Sequence, residues 1–300
     1  MDHPGWPALP LREWEPTLLT LHRFTQIVGK VQLALAPRLN HWWHVTQRVT
    51  PHGLTTGTLC GEQHLAITFD FVRHRLQIEA VGRETQTLAL EPMTVAEFYA
   101  RVLERLARIG VDATISAAPV EVKDRTPFAE DTHHASYDRA AVERFHRALL
   151  SIHRVFEGHR GRFLGKCSPS HFFWGAFDLA VTRFSGRRNP TPPSDPINGS
   201  AYSHEVISHG FWPGGDFLDK GRVEEAVFYA YAVPEPAGFR DAAAEPAAAR
   251  YDPAFGEYFL PYDAVRTSAD PEGALLAFME STYLAAARPA GWPVEDLSAG

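Results

Sequence analysis

The segment His171–Gly186, HFFWGAFDLAVTRFSG, constrains the fold of this chain more than any other. Read as one long strand, it places His171, Phe173, Gly175, Phe177 and Leu179 on one face. Phe172, Trp174, Ala176, Asp178 and Ala180 fall on the other. Both faces are largely apolar, so the strand needs cover on both sides. Asp178 interrupts this run, and a buried carboxylate needs a partner. Arg183 or a histidine from another strand could supply one, which makes Asp178 either a structural anchor or a pocket residue.

The text around this strand supplies the covering layers. Pro16 followed by TLLTLHRFTQIVGKVQLALA predicts a helix that weakens near Gly29 or ends by Pro37, with His22, Gln26 and Lys30 on one face. Residues 93–110 predict the clearest helix, capped by Thr94 with Glu97 three residues on. Helices are also predicted over 138–161, capped by Asp138, and 271–289, capped by Asp270. Strands are predicted over 40–50, 64–80 with a turn near Val72–Arg75, 87–91, 113–122, 203–215, 225–236 and 257–263. Residues 187–200, rich in Pro, Gly and Ser, read as an exposed loop.

The fold class expected is α+β, with mixed, mainly antiparallel sheets and flanking helices. A division into 1–125 and 126–300 follows, and the two units can also pack as one continuous domain. LHRF, GK and NHWWHV in the first half answer to FHRA, GK and SHFFWG in the second, an order that allows an internal duplication. In that case His41 and His171 occupy related positions, and a pocket between the halves is natural.

Composition bounds the function. Apolar residues make up 45% of the 300, enough for a full core. The formal charge is -7 and neither half is basic, which argues against a nucleic-acid partner. No apolar run approaches the length of a membrane span, and the first residues lack a signal-peptide pattern, so a cytoplasmic location is expected. Cys60 and Cys167 are too few for a disulfide scaffold. Neither GxGxxG nor a Walker lysine loop occurs, which disfavours nicotinamide and common nucleotide cofactors.

The local chemistry concentrates in a few motifs. GKCSPSHFFWG offers Cys167 and Ser168 as nucleophiles beside His171, but it lacks the GxSxG elbow. A buried small residue and a turn hydroxyl are the ordinary fates of that pair. NHWWHV offers His41 and Trp43 on one strand face, with Trp42 and His44 on the other. EDTHHASYD and SHEVISHG bring His133, His134, His204 and His209 near acidic residues, without an HExxH motif; a metal site is therefore not favoured.

Several of these motifs are long and specific. WPALPLREWEPTLLTLHRFTQIVGKVQLALAPRLNHWWHVTQRVTPHGLTT, FDFVRHRL, PFAEDTHHASYD, GRFLGKCSPSHFFWGAFDLAVTRFSGR, YSHEVISHGFWPG and FYAYAVPEP are spread along the chain, and the resemblance they carry covers nearly all of it. In them the chain resembles an uncharacterised bacterial family, a domain of unknown function. The resemblance implies identity without chemistry.

The favoured function is small-molecule binding, of an anionic metabolite in the first instance. The site residues expected are Lys30, His41, Trp43, His171, Trp174, Asp178, Arg183, His204 and His209. Lys30 and Arg183 would orient an anion, and His41, His171 or His204 would shuttle a proton if the ligand is turned over. Asp178 would position a histidine or a cation. Whether the chain is an enzyme stays open at this point. The alternatives are a non-catalytic structural or interaction protein, whose motifs would be packing and turn constraints with exposed apolar surface marking a partner face, and a metal-dependent hydrolase; a core closed around Trp43, Trp174 and Asp178 with no adjoining cavity would sink the pocket reading.

Overall fold

The computed structural model describes residues 3–218 and 220–299. Its long helices are α1 (Leu11–Leu35), α2 (Val95–Arg108), α3 (Arg139–Gly161) and, at the end of the chain, Pro271–Ala287. The expected caps are in place. Thr94 Oγ1 accepts from the Glu97 N–H, Asp138 from that of Ala141 and Asp270 from that of Gly273. Helix α1 begins five residues earlier than Pro16 predicts, because Leu11 and Trp14 are buried and anchor a first turn ahead of the proline. It also runs unbroken through Gly29, for a reason given below.

The strands form one antiparallel sheet of twelve. Its N-terminal meander comprises β1 (Thr46–Thr50), β2 (Gly53–Thr55), β3 (Leu59–Cys60), β4 (His64–Asp70), β5 (Arg75–Ala80) and β6 (Gln86–Ala89). The C-terminal meander comprises β7 (His171–Phe173), β8 (Asp178–Arg188), β9 (His204–Trp212), β12 (Val227–Val233), β13 (Arg250–Asp252) and β14 (Glu257–Pro261). A separate hairpin, β10 (Gly215–Phe217) with β11 (Gly221–Val223), lies between β9 and β12 in the chain. Two short helices complete the count, α4 (Pro196–Ala201) and α5 (Tyr262–Arg266), so the terminal helix is α6. The meanders meet at their first strands, where Thr46 pairs with Phe173 and Gln47 with Phe172. Each half therefore runs helix, meander, helix. The fold is the α+β class expected, with mainly antiparallel pairing and flanking helices.

Three expected strands differ. Residues 113–122 form none and run irregularly to the α3 cap. Asn40–Val45 forms tight 3₁₀ turns, with His41 (φ 54°) and Trp42 (φ 61°) in the left-handed region, and extended structure starts only at Thr46. His171–Gly186 is a hairpin, not one strand. Trp174–Phe177 turn over, and the Phe177 N–H donates to the Phe173 carbonyl (2.9 Å). Phe177 accepts a left-handed φ of 62° there, and its ring packs parallel to Phe145 at 5.3 Å. Burial of the aromatic side chains offsets the local strain.

Register then fixes the two faces of β8. Leu179, Val181 and Arg183 turn toward α3 and α6, together with Ile207, His209 and Phe211 of β9. Asp178, Ala180, Thr182 and Phe184 turn the other way, toward an open space.

Candidate functional site

That second face is the wall of a cavity of about 640 Å³. Alternate residues of four adjacent strands build the wall: Asp178, Ala180 and Thr182 of β8, Val206 and Ser208 of β9, Tyr229 and Tyr231 of β12, and Glu257 and Phe259 of β14. The first half of the chain supplies the opposite side through Lys30 and Leu33 of α1, His41–Trp43, and Val120, Glu121 and Arg125 of the irregular segment. Such a volume and aromatic lining suit a small organic molecule.

The wall carries an acidic end. The Tyr229 hydroxyl donates to Asp178 Oδ2, and Tyr229 lies nearly parallel to Tyr231, whose hydroxyl is 3.1 Å from that of Tyr202. Burial pushes the Asp178 carboxyl up to about 7; the Tyr229 hydrogen bond opposes this, and Glu121 and Glu257 add to it. Burial likewise lifts Glu257 to about 7 and raises Glu121, although the Glu121 side chain opens onto the cavity. None of the three carboxylates forms an ion pair among the described residues.

Two glycines make this end sterically feasible. A Cβ on Gly210 would lie 2.0 Å from the Tyr229 ring, and one on Gly175 would lie 2.3 Å from Glu121 Oε1. Glu121 itself sits at φ 53°, an uncommon conformation for a residue with a side chain. Helix α1 holds it there. The Gln26 side chain donates to the Val120 carbonyl (2.7 Å) and accepts from the Val120 N–H (2.8 Å), while His22 Nε2 bonds the Gly175 carbonyl (2.8 Å). The His22, Gln26, Lys30 face seen in the sequence is thus a clamp with a cation one turn beyond it.

That cation forms the other end. Lys30 is 7% exposed and lines the cavity, and it has no hydrogen bond or ion pair among the described residues. Burial lowers its ammonium pKa. Trp174 lies beside it, because its indole packs onto Gly29, where a Cβ would come within 2.3 Å of the ring. This contact explains the glycine in mid-helix. The Trp174 Nε1 donor is buried without a partner.

Helix α4 borders the cavity through Ile197, which is 63% exposed. Two residues of the 3₁₀ turns tie α4 down: Trp42 Nε1 donates to the Ile197 carbonyl (2.9 Å) and His41 Nδ1 to the Ala201 carbonyl (3.0 Å). His41 Nε2 accepts from Lys166 (2.9 Å), whose ammonium also lies over Phe184 and Trp43.

Of the expected site residues, Lys30, His41, Trp43, Trp174 and Asp178 line this one cavity. Arg183 does not, and it lies away from the cavity in which an anion-orienting role was expected of it. It is 2% exposed on the helix-covered face, bonded to the His159 carbonyl (2.6 Å) and to Glu280 (3.2 Å). His209 shares that face and bonds Thr282 Oγ1 (3.0 Å). His171 is buried without a partner for either ring nitrogen, and desolvation lowers it to about 3, so it neither touches the cavity nor holds a proton near neutral pH. His41 has both nitrogens engaged. His204 packs 5.6 Å from His41 and is not part of the lining. The proton-shuttle roles expected of these histidines therefore lack a geometric basis. Burial raises the Cys167 thiol, and Ser168 is a turn hydroxyl, accepting from the Thr182 N–H.

Glu121, Tyr229, Tyr231 and Glu257 are lining residues that sequence reasoning missed. The tyrosines were visible as alternation with Ala230 and Ala232, and Glu257 as an acid opening an apolar strand. Glu121 gave no signal, because its segment read as a regular strand.

Among the described residues no three His, Cys, Asp or Glu side chains come together as metal ligands, and no helix is long and apolar enough to cross a membrane. Comparison with curated proteins and with solved structures yields no match. A family model does match residues 6–299, nearly the span over which the sequence motifs carried the resemblance, and the chain accordingly belongs to DUF5996, a family of unknown function.

Proposed function

We propose that this protein binds a small organic molecule in the cavity, with Lys30 receiving an anionic group of the ligand. The observation that carries the reading is Lys30 itself, more than nine-tenths buried, unpaired and aimed into a space of about 640 Å³. A desolvated ammonium is costly unless an acceptor meets it. The aromatic lining, including Trp43, Trp174 and Phe259, suits a flat apolar body. That Trp43, Trp174 and Asp178 adjoin this space, and not a closed core, supports the reading. Turnover is a natural extension, since Asp178 and Glu257 exchange protons near neutrality.

The test is a fluorescence titration with 4-methylbenzoate, read through the cavity tryptophans. A saturable change is expected, with affinity reduced about tenfold or more in Lys30→Gln through loss of a charge-assisted bond. Absence of a saturable response, or equal affinity in the two proteins, overturns the reading.

A further inference from the structure

We propose that the ligand is two-ended: besides the anionic group at Lys30 it carries an ammonium that Asp178 and Glu257 receive at the opposite wall. The inference rests on the binding reading above and names the class of molecule, an amino acid whose amine and acid are separated by a flat or apolar body.

The argument begins with the arrangement of charge. Lys30 comes from α1, whereas Asp178 and Glu257 come from β8 and β14. All line one cavity, yet no ion pair joins them within 4 Å. Neighbouring cations form no ion pair with the acids. Lys166 is engaged with His41, and Lys220, bonded to the Phe255 carbonyl (2.9 Å), opposes the burial of Glu257 only in part, leaving its carboxyl raised to about 7. Arg125 lines the cavity at an exposed position and makes no ion pair among the described residues. The protein therefore holds an unpaired buried cation and unpaired carboxyls in one enclosure, at separate places. A purely anionic ligand would satisfy Lys30 and add repulsion at Asp178, Glu121 and Glu257. A purely cationic one would leave Lys30 desolvated and alone. A molecule with both charges, held apart, satisfies each end.

The acidic end is also built to receive hydrogen-bond donors. Tyr229 donates to Asp178 Oδ2 and fixes its carboxyl, with the tyrosine ring seated on Gly210. The lining also includes Trp212 and Phe259, aromatic faces that suit an ammonium or the carbon next to it, while Phe217 and Phe255 already carry the Lys220 ammonium.

Three probes of one shape separate the possibilities: 4-(aminomethyl)benzoate, 4-methylbenzoate and benzylamine, each titrated by calorimetry at pH 7.5. The expected order places 4-(aminomethyl)benzoate about tenfold or more tighter than either single-ended probe. In Asp178→Asn, and independently in Glu257→Gln in case the first variant folds poorly, the ratio between 4-(aminomethyl)benzoate and 4-methylbenzoate should collapse toward one. Binding of 4-methylbenzoate with no gain from the added amine overturns this inference and leaves the Lys30 reading standing. Tighter binding of benzylamine than of both acids overturns the Lys30 reading with it, as does failure of all three probes on folded protein.

Discussion

Asp178 has a carboxyl buried to 8% exposure, and its protonation couples the site to stability. Its pKa rises from an ordinary 3.8 to about 7 on folding, chiefly through burial. The native state therefore holds a proton that the unfolded chain releases. The stability this contributes is present below about pH 4 and is lost as pH rises through 7, and it amounts to about 4 kcal/mol in all. Glu257, also raised to about 7, acts in the same sense. The buried histidines act oppositely. His22 and His159, lowered to about 4, and His171, lowered to about 3, all mainly by burial, favour the native state above pH 6.5 and destabilise it as pH falls toward those values. Asp178→Asn isolates the carboxyl, because the histidines are common to both proteins. The variant's advantage over the parent should grow by about 2–3 kcal/mol between pH 5 and pH 8. Urea unfolding at the two pH values measures this, and a constant difference would show that Asp178 titrates normally.

Helix α1 shows how far an element can be read from sequence. Its four-residue spacing put His22, Gln26 and Lys30 on one face, and the clamp on Val120 and Gly175 uses that face. What the spacing lacked was the identity of the surface opposite. The α+β class, the capped helices and the β4–β5–β6 meander were legible because each is encoded by neighbours in sequence: caps, turns and alternation. The 3₁₀ turns at His41–Trp42 and the reversal at Trp174–Phe177 were not, since their backbone strain is held by distant partners, α4 in one case and Phe145 in the other. Reading through the turn as strand also loses the parity of β7: His171 and Phe173 pair with Ala180 and Asp178 and so share their face, not that of Leu179. Arg183 lies on the face opposite Asp178 by the alternation within β8 itself. Gly29 yields a prediction at this scale. An alanine in mid-helix is ordinarily worth about 1 kcal/mol over glycine. Here its methyl would meet the Trp174 ring, so Gly29→Ala should cost about 1–3 kcal/mol in denaturant unfolding and weaken 4-methylbenzoate binding as the indole shifts. A stabilised Gly29→Ala variant would show that Trp174 does not seat on the helix.

Across the whole molecule, the cavity belongs to neither half. Its sheet wall comes from the C-terminal meander, while Lys30, the His41–Trp43 turns and Glu121 come from the N-terminal half. The halves share the β1–β7 pairing of two residue pairs and a continuous core running from Trp6 to Val294. Helix α4 borders the cavity at Ile197 and is held there by the Trp42 and His41 bonds. If a ligand passes on this side, its entry and exit share one gate. Trp42→Phe keeps the aromatic wall and removes the indole N–H. It should accelerate association and dissociation of 4-methylbenzoate together, by about fivefold for one lost hydrogen bond, while the equilibrium constant stays within a factor of about two. Stopped-flow traces separate the two rates. A rise in dissociation alone would mean that Trp42 holds the ligand and not the gate; a parallel rise would make residence time in this protein a property of six residues on its surface, tunable without touching a single group that contacts the bound molecule's charges.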